Sequence, residues 1–184
     1  MLETFDSGLL LWLQENVRNP ILTPLMKAVT HLGDAGIFWI LLTLVLLILP
    51  RTRKVGLGSA IALLGSLVVC NLILKNAVGR IRPYEVIAGL ECIVGRAHDA
   101  SFPSGHTSAS FASAVALFRQ IPRKYGVPLL ILAALIAFSR LYVGIHYPTD
   151  VLAGLVIGIA LGWFGSKLGP KAYAYLPAKL HREP

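Results

Sequence analysis

Charge is what this 184-residue chain has least of. Only 14% of its residues are Asp, Glu, Lys or Arg, while 55% are hydrophobic. An ordinary soluble domain carries about 25% charged residues. With a mean hydropathy of +0.69, the shortage excludes the water-soluble class and puts the chain among membrane proteins. Acids are scarcer than bases, nine against seventeen, for a net charge of +8. A basic excess can signal nucleic acid, but most of these cations sit at the ends of apolar runs. Membrane topology explains them there, so no nucleic-acid partner is expected. Cysteine is nearly missing as well. Cys70 lies in an apolar run and Cys92 in a polar loop, which is a poor disulfide pair and predicts two free thiols. The N-terminus carries Glu3 and Asp6 where a signal peptide needs a basic start, so no cleaved signal is expected. No internal repeat or low-complexity segment stands out.

What is present is a series of apolar runs, read as one integral-membrane domain over residues 1–184. Residues 3–18 set Phe5, Leu9, Trp12, Leu13 and Val17 on one helical face, with Asp6, Gln14, Glu15 and Arg18 elsewhere. A second stretch repeats the pattern with Ile21, Leu22, Leu25, Met26, Val29 and Leu32. Neither has the roughly 20 apolar residues of a span. The region 1–33 is therefore expected as amphipathic helices on the interface or against a bundle. Five spanning candidates follow in 35–166: Ala35 to Leu49, Val55 to Leu74, Ser104 to Phe118, Gly126 to Phe138 and Pro148 to Ser166. The third is rich in Ser, Ala and Thr, which suits the inside of a bundle. The fifth carries Gly154, Gly158 and Gly162 in series with Asp150, so the aspartate should share their protein-facing side. The expected fold is all-α, a polytopic helical bundle.

Loop charges set an orientation. Arg51, Arg53, Lys54, Arg119, Arg123 and Lys124, with Lys167, Lys171, Lys179 and Arg182 of the tail 167–184, fall on one side. The positive-inside rule makes that side cytoplasmic. Arg80, Arg82, Arg96 and Arg140 fall on the other, together with Glu85, Glu91 and Asp99. The loop from Gly79 to Phe102, long and without periodicity, reads as a rim or lid on that outer side.

Three polar stretches share the outer edge: Lys75 with Arg82-Pro83, Pro103-Ser104-Gly105-His106, and Ser139-Arg140 with His146 and Asp150. Polar groups beside hydrocarbon-length runs are costly unless they face one another or a polar cavity. Lys75, Arg82 and Arg140 are permanent cations with no acid nearby in sequence to pair them all. Lys75 and Arg82 are two helical turns apart and could face one cavity. Arginine forks match phosphate oxygens. Ser104 is a good N-cap and would open a helix whose free N–H groups suit an anion, with Gly105 permitting close approach. His146 and Asp150 are four apart, so the carboxylate can hold one imidazole nitrogen and leave the other as nucleophile. His106 could protonate a leaving oxygen and then activate water. This chemistry needs no metal or other cofactor.

Lys75-x6-Arg82-Pro83, Pro103-Ser104-Gly105-His106 and Ser139-Arg140-x5-His146-x3-Asp150 resemble, in order and spacing, the three signature motifs of the type 2 phosphatidic acid phosphatase superfamily. The resemblance covers about residues 70–155. It implies a helical membrane phosphatase, often of six spans, acting on lipid phosphates or diphosphates through a phosphohistidine. It implies His146 as nucleophile, Asp150 as its partner and His106 as acid/base. Lys75, Arg82, Ser104, Gly105, His106 and Arg140 would bind phosphate. The expected partner is a membrane lipid, with undecaprenyl diphosphate ranked ahead of phosphatidylglycerol phosphate. Other readings of the same residues are a phosphotransferase, an anion channel, a Ser104-His106-Asp150 hydrolase triad and a zinc site of His106, His146 and Asp150. The cations disfavour the last two, and a pore needs no oriented imidazole. Taken singly, Lys75 and Arg82 would fit snorkelling side chains; His31 reads as structural and His98 as a solvated loop residue.

Overall fold

The computed structural model describes residues 2–177, and every regular element among them is helical. Two helices, α1 (Leu2–Asn16) and α2 (Leu22–Leu32), lead through a tight elbow, Asp34–Gly36, into α3 (Ile37–Ile48). Helix α4 (Arg53–Ser66) continues through a π-helical stretch, Leu67–Leu74, into a last turn, α5 (Lys75–Val78). A short α6 (Pro83–Val86) and a long loop precede α7 (Gly105–Phe118), α8 (Arg123–Tyr142) and α9 (Pro148–Ala174).

Between its two ends the chain makes five alternating passes: α3, α4 with its extension, α7, α8 and α9. Their alternation follows from which ends meet, since the start of α3, the end of α5, the starts of α7 and α9 and the end of α8 all converge on one cluster of polar side chains. Fewer of them qualify as spans by length and composition. Three stretches do, Pro50–Val86, Arg123–Tyr142 and Pro148–Ala174, and a fourth if α2 and α3, bent by 46°, are one broken span. By length and composition alone the qualifying spans number three or four, against the five or so expected from the sequence. With 12 residues α3 is too short alone, and α7 with 14 reaches only ~21 Å at 1.5 Å per residue, against about 30 Å of hydrocarbon.

Helix α7 holds the bundle together. Ala112, Ala114 and Ala116 are fully buried, as are Ser108, Ser110 and Ser113. The serines satisfy one another across helices: Ser108 with Ser66 at 2.8 Å, Ser113 with Ser59 at 2.8 Å, Ser59 with Thr43 at 2.6 Å, and Ser110 accepting from Trp39 Nε1 at 2.9 Å. Against α7 lies the glycine stripe of α9. A Cβ on Gly154, Gly158 or Gly162 would come within 2.6–2.7 Å of the Ser104, Ser108 and Ala112 carbonyl oxygens. Backbone therefore touches backbone every fourth residue, as the stripe promised, and Asp150 is carried onto the same face.

The amphipathic helix α1 differs from its sequence reading. Leu13 of the expected apolar face is buried, but Phe5 and Trp12 of that face are exposed, and Leu10 and Asp6, which that face does not include, are buried instead. The hydrophobic pattern cannot register Asp6's distant ion-pair partner, described next. Cys70 and Cys92 are both free thiols, as expected. Lys179 and Arg182 of the expected cytoplasmic tail lie outside the described residues.

Candidate active site

Helix α9 begins at Pro148, a favoured first residue, and its third residue Asp150 accepts from the Tyr147 N–H at 3.0 Å. His146 stands just before the helix, 1% exposed, with Nδ1 3.4 Å from Asp150 Oδ2. That distance is an electrostatic pairing more than a short hydrogen bond. The tighter bonds to Asp150 come from Ser101 Oγ, 2.5 Å from Oδ2, and Arg80 Nη1, 2.7 Å from Oδ1. Arg80 also donates to Asp6 at 2.7 Å and stacks over the Tyr147 ring at 3.7 Å. Asp6 in turn accepts from the Thr149 N–H at 3.1 Å and its hydroxyl at 2.6 Å. Helix α1 is thus tied through one acid to the start of α9. Burial pushes the His146 imidazole down to about 3, against the pull of Asp150 and helped by Arg140 and Arg82. The ring is therefore neutral at ordinary pH, the state a nucleophile needs.

Lys75 and Arg82 do not share a helix. Gly79, at φ +60°, ends α5 in the left-handed conformation that glycine tolerates best, and Arg82 lies beyond it. One carboxylate brings the two together. Asp99 pairs with Lys75 Nζ through Oδ2 and with Arg82 Nη2 through Oδ1 at 2.6 Å. Burial alone would raise the Asp99 carboxyl, but the bonds and charges of Lys75 and Arg82 outweigh it and bring it down to about 2. Arg82, 3% exposed, also donates to the Ile145 carbonyl at 2.9 Å, and the same Nη1 is 3.4 Å from His146 Nε2. Arg140 is 5% exposed; it donates through Nη1 to the Thr30 hydroxyl, while its buried Nε has no partner among the described residues.

Ser104 caps α7: its Oγ accepts from the Thr107 N–H at 3.4 Å and from the Thr107 hydroxyl at 2.9 Å. Its own N–H goes to the Asp150 carbonyl at 3.0 Å. Fully buried and so committed, Ser104 is poorly set to act as a nucleophile. Gly105 and His106 instead line a cavity of about 460 Å³ that also takes in Lys75, Asn71 and Asp99. Its far wall is apolar, made by Ile40 of α3 and Leu63, Leu64 and Leu67 of α4 and its extension. His106 Nε2 is 3.0 Å from Asp34 Oδ1, and Asp34 Oδ2 is 2.7 Å from His31 Nδ1. Among the described residues no group of three or more His, Cys, Asp and Glu side chains is arranged to hold a metal.

The motif residues gather at one end of the bundle, with His146, Arg82 and Arg140 buried behind Asp99 and with Lys75, Gly105 and His106 on the cavity. Sequence reasoning missed the acids and Arg80. Asp6, Asp34, Asp99, Ser101 and Arg80 all touch motif residues or their partners. A signal existed: in a chain with nine acids, each acid at the edge of an apolar run should have been asked for its cation.

The chain is similar to known proteins over most of its length. The family model described as PAP2 superfamily matches residues 53–174. An undecaprenyl-diphosphatase of Sulfolobus acidocaldarius is 34% identical over 65% of this chain, which spans 58% of that protein's length. The undecaprenyl-diphosphatase BcrC of Bacillus subtilis is 37% identical over 79% of this chain and 74% of its own. Among solved structures, Aquifex aeolicus LpxE superposes with a TM-score of 0.77 at 27% identity, covering 89% of this chain and 95% of that one.

Proposed function

Because the chain belongs to the PAP2 superfamily, we propose that it is a membrane phosphatase that removes phosphate from a lipid phosphate or diphosphate through His146. The observation that carries the reading is a set of three cations, Lys75, Arg82 and Arg140, beside a neutral, carboxylate-paired imidazole. Lys75 and Arg82 share one carboxylate, Asp99, while Arg140 donates to the Thr30 hydroxyl and keeps a buried Nε with no partner among the described residues. Burying uncompensated charge is expensive, and a phosphate would supply what is missing.

His146 Nε2 attacks phosphorus while Asp150 holds Nδ1–H. The lipid oxygen leaves with a proton from His106. Lys75, Arg82 and Arg140 balance the charge on the equatorial oxygens during the in-line displacement. Water then attacks the phosphohistidine, His106 takes its proton, and inorganic phosphate departs. To reach Nε2 the phosphate must take over Lys75 and Arg82 from Asp99. The apolar wall of Ile40, Leu63, Leu64 and Leu67 suits the hydrocarbon nearest the head group. Cations of this number suit a diphosphate, and the relatives named as undecaprenyl-diphosphatases support ranking undecaprenyl diphosphate ahead of phosphatidylglycerol phosphate.

The site faces outward in this reading. Its own cations are matched by Asp6, Asp99 and Asp150, whereas the opposite end gathers Arg51, Lys54, Arg119, Arg123 and Lys124. An impermeant thiol reagent applied to intact cells should label Cys92; labelling at a cysteine engineered at Lys171 instead would invert the orientation. Function is tested by phosphate release from purified protein in detergent across lipid phosphates, lipid diphosphates and soluble esters. Preference for undecaprenyl diphosphate is expected. Preference for phosphatidylglycerol phosphate would reverse the ranking, and preference for soluble esters would end the lipid reading.

A further inference from the structure

We propose that Asp34, in the elbow between α2 and α3, is the positioning residue of His106, giving the acid/base the same kind of carboxylate partner that Asp150 gives the nucleophile. The inference rests on the phosphatase reading for its chemical meaning. Asp34 lies outside the stretch 53–174 matched by the family, so the motifs do not contain it.

Three contacts of the elbow and of the end of α2 that leads into it converge on the site. Asp34 Oδ1 is 3.0 Å from His106 Nε2. Gly33 packs so closely on the same ring that a Cβ there would stand 2.8 Å from His106 Cδ2. Thr30, 1% exposed, takes a bond from Arg140 Nη1. The backbone is bent to allow this. Ala35, with φ +49°, adopts the left-handed conformation that residues with a side chain avoid, and Gly36 follows it at φ +69°. Such outliers concentrate where function demands them. The turn presents Asp34 to His106 while α3 departs to build the cavity wall with Ile40.

The pairing has a definite chemical consequence. An ionised carboxylate only accepts, so it requires the proton on Nε2. The proton passed to the leaving lipid oxygen then departs from Nδ1, and the ring is left neutral, with Nε2–H still held by Asp34. Nδ1 is thereby the base that takes the proton of the attacking water in the second half. Asp34 stays ionised throughout and never transfers a proton. The other charges facing His106 are Arg140 from α8 and Lys75 from α5, with Asp99 across the cavity and His31 behind Asp34. Burial, Arg140 and Lys75 all oppose the imidazolium, which makes the Asp34 hydrogen bond and charge the chief support for the protonated acid.

Asp34→Asn keeps the shape and removes the charge at a side chain that is 49% exposed, so folding should survive. Asp34→Glu restores the charge. Both are compared with the unsubstituted protein in micelles by the 15N titration of the His106 imidazole and by the pH profile of lipid phosphate release. Expected for Asp34→Asn is a titration midpoint and a basic kinetic limb that both move to lower pH, with kcat down about 10- to 100-fold. KM should hold within about twofold, because Lys75, Arg82 and Arg140 hold the phosphate. Asp34→Glu should recover the midpoint and part of kcat. An unmoved midpoint, or a kcat loss that Asp34→Glu does not relieve, would overturn the inference. The titration needs no turnover, so a protein that released no phosphate from any lipid would refute the phosphatase reading while the Asp34–His106 pairing was still judged on its midpoint.

Discussion

Gly158→Ala is a small change placed where α7 and α9 have no room for it. The new Cβ would lie 2.7 Å from the Ser108 carbonyl oxygen, 2.8 Å from Phe111 Cβ and 3.2 Å from the Ala112 nitrogen. The first and last are backbone atoms, which cannot swing aside as a flexible side chain could. Ordinary contact begins near 3.4 Å, so the helices must part by about 0.7 Å. Overpacking of this kind costs about 1–3 kcal/mol, or ~2–4 °C of Tm per kcal/mol for a chain this size. The site should suffer as well. Asp150 lies about two turns up the seam from Gly158, and Ser104 about one turn up from Ser108, the two joined by the 3.0 Å bond from the Ser104 N–H to the Asp150 carbonyl. Displacements near 1 Å in an active site can cost about 100-fold in rate, and at least a tenfold loss of kcat is expected here. Gly8→Ala is the control, since nothing lies within 4 Å of its added Cβ; it should leave activity unchanged and stability equal or slightly higher. The measurements are Tm in detergent and initial rates on one lipid phosphate. A Gly158→Ala protein as stable and active as its parent would refute the backbone contact and the positioning of Asp150 drawn from it.

Asp99→Asn should tighten the binding of inorganic phosphate and vanadate, because the carboxylate competes with them for Lys75 and Arg82. Discounted for its 55% exposed side chain, the pairing is worth about 1 kcal/mol, a gain of about fivefold in the inhibition constant. Weaker binding in this variant would mean that Asp99 organises the two cations instead of competing for them. The pH profile follows from His146, whose folded value of about 3 leaves the ring neutral as pH falls through 6.5. The acid limb of kcat/KM should therefore lie below pH 5; an acid limb near 6.5 would mean that the working nucleophile is hydrated.

Much of the architecture was legible because it repeats at helical spacing. The Gly154-Gly158-Gly162 stripe and the small residues of α7 announced a tight seam, and the three motifs announced a common end. What stayed hidden was long-range or a matter of length. Asp6 reaches Arg80 and Asp34 reaches His106 across more than seventy residues, and no local pattern connects them. Periodicity assigned Asp6 to the wet face of α1 because it counts hydrophobicity and not ion-pair partners. Lys75 and Arg82 at two-turn spacing suggested one helix, but Gly79 stops it and Asp99 does the joining. Apolar runs suggested more spans than qualify, since α3 and α7 are apolar or small enough to be buried yet too short to cross alone.

The most direct test is to trap the covalent intermediate. Purified protein is mixed with undecaprenyl diphosphate labelled in its terminal phosphate, quenched in alkali, where phosphohistidine survives, and digested for mass spectrometry. Label on His146 of the unsubstituted protein and none in His146→Ala is the expected result. Phosphate release that continues in folded His146→Ala protein, or label on any other residue, would contradict the assignment of His146 as nucleophile.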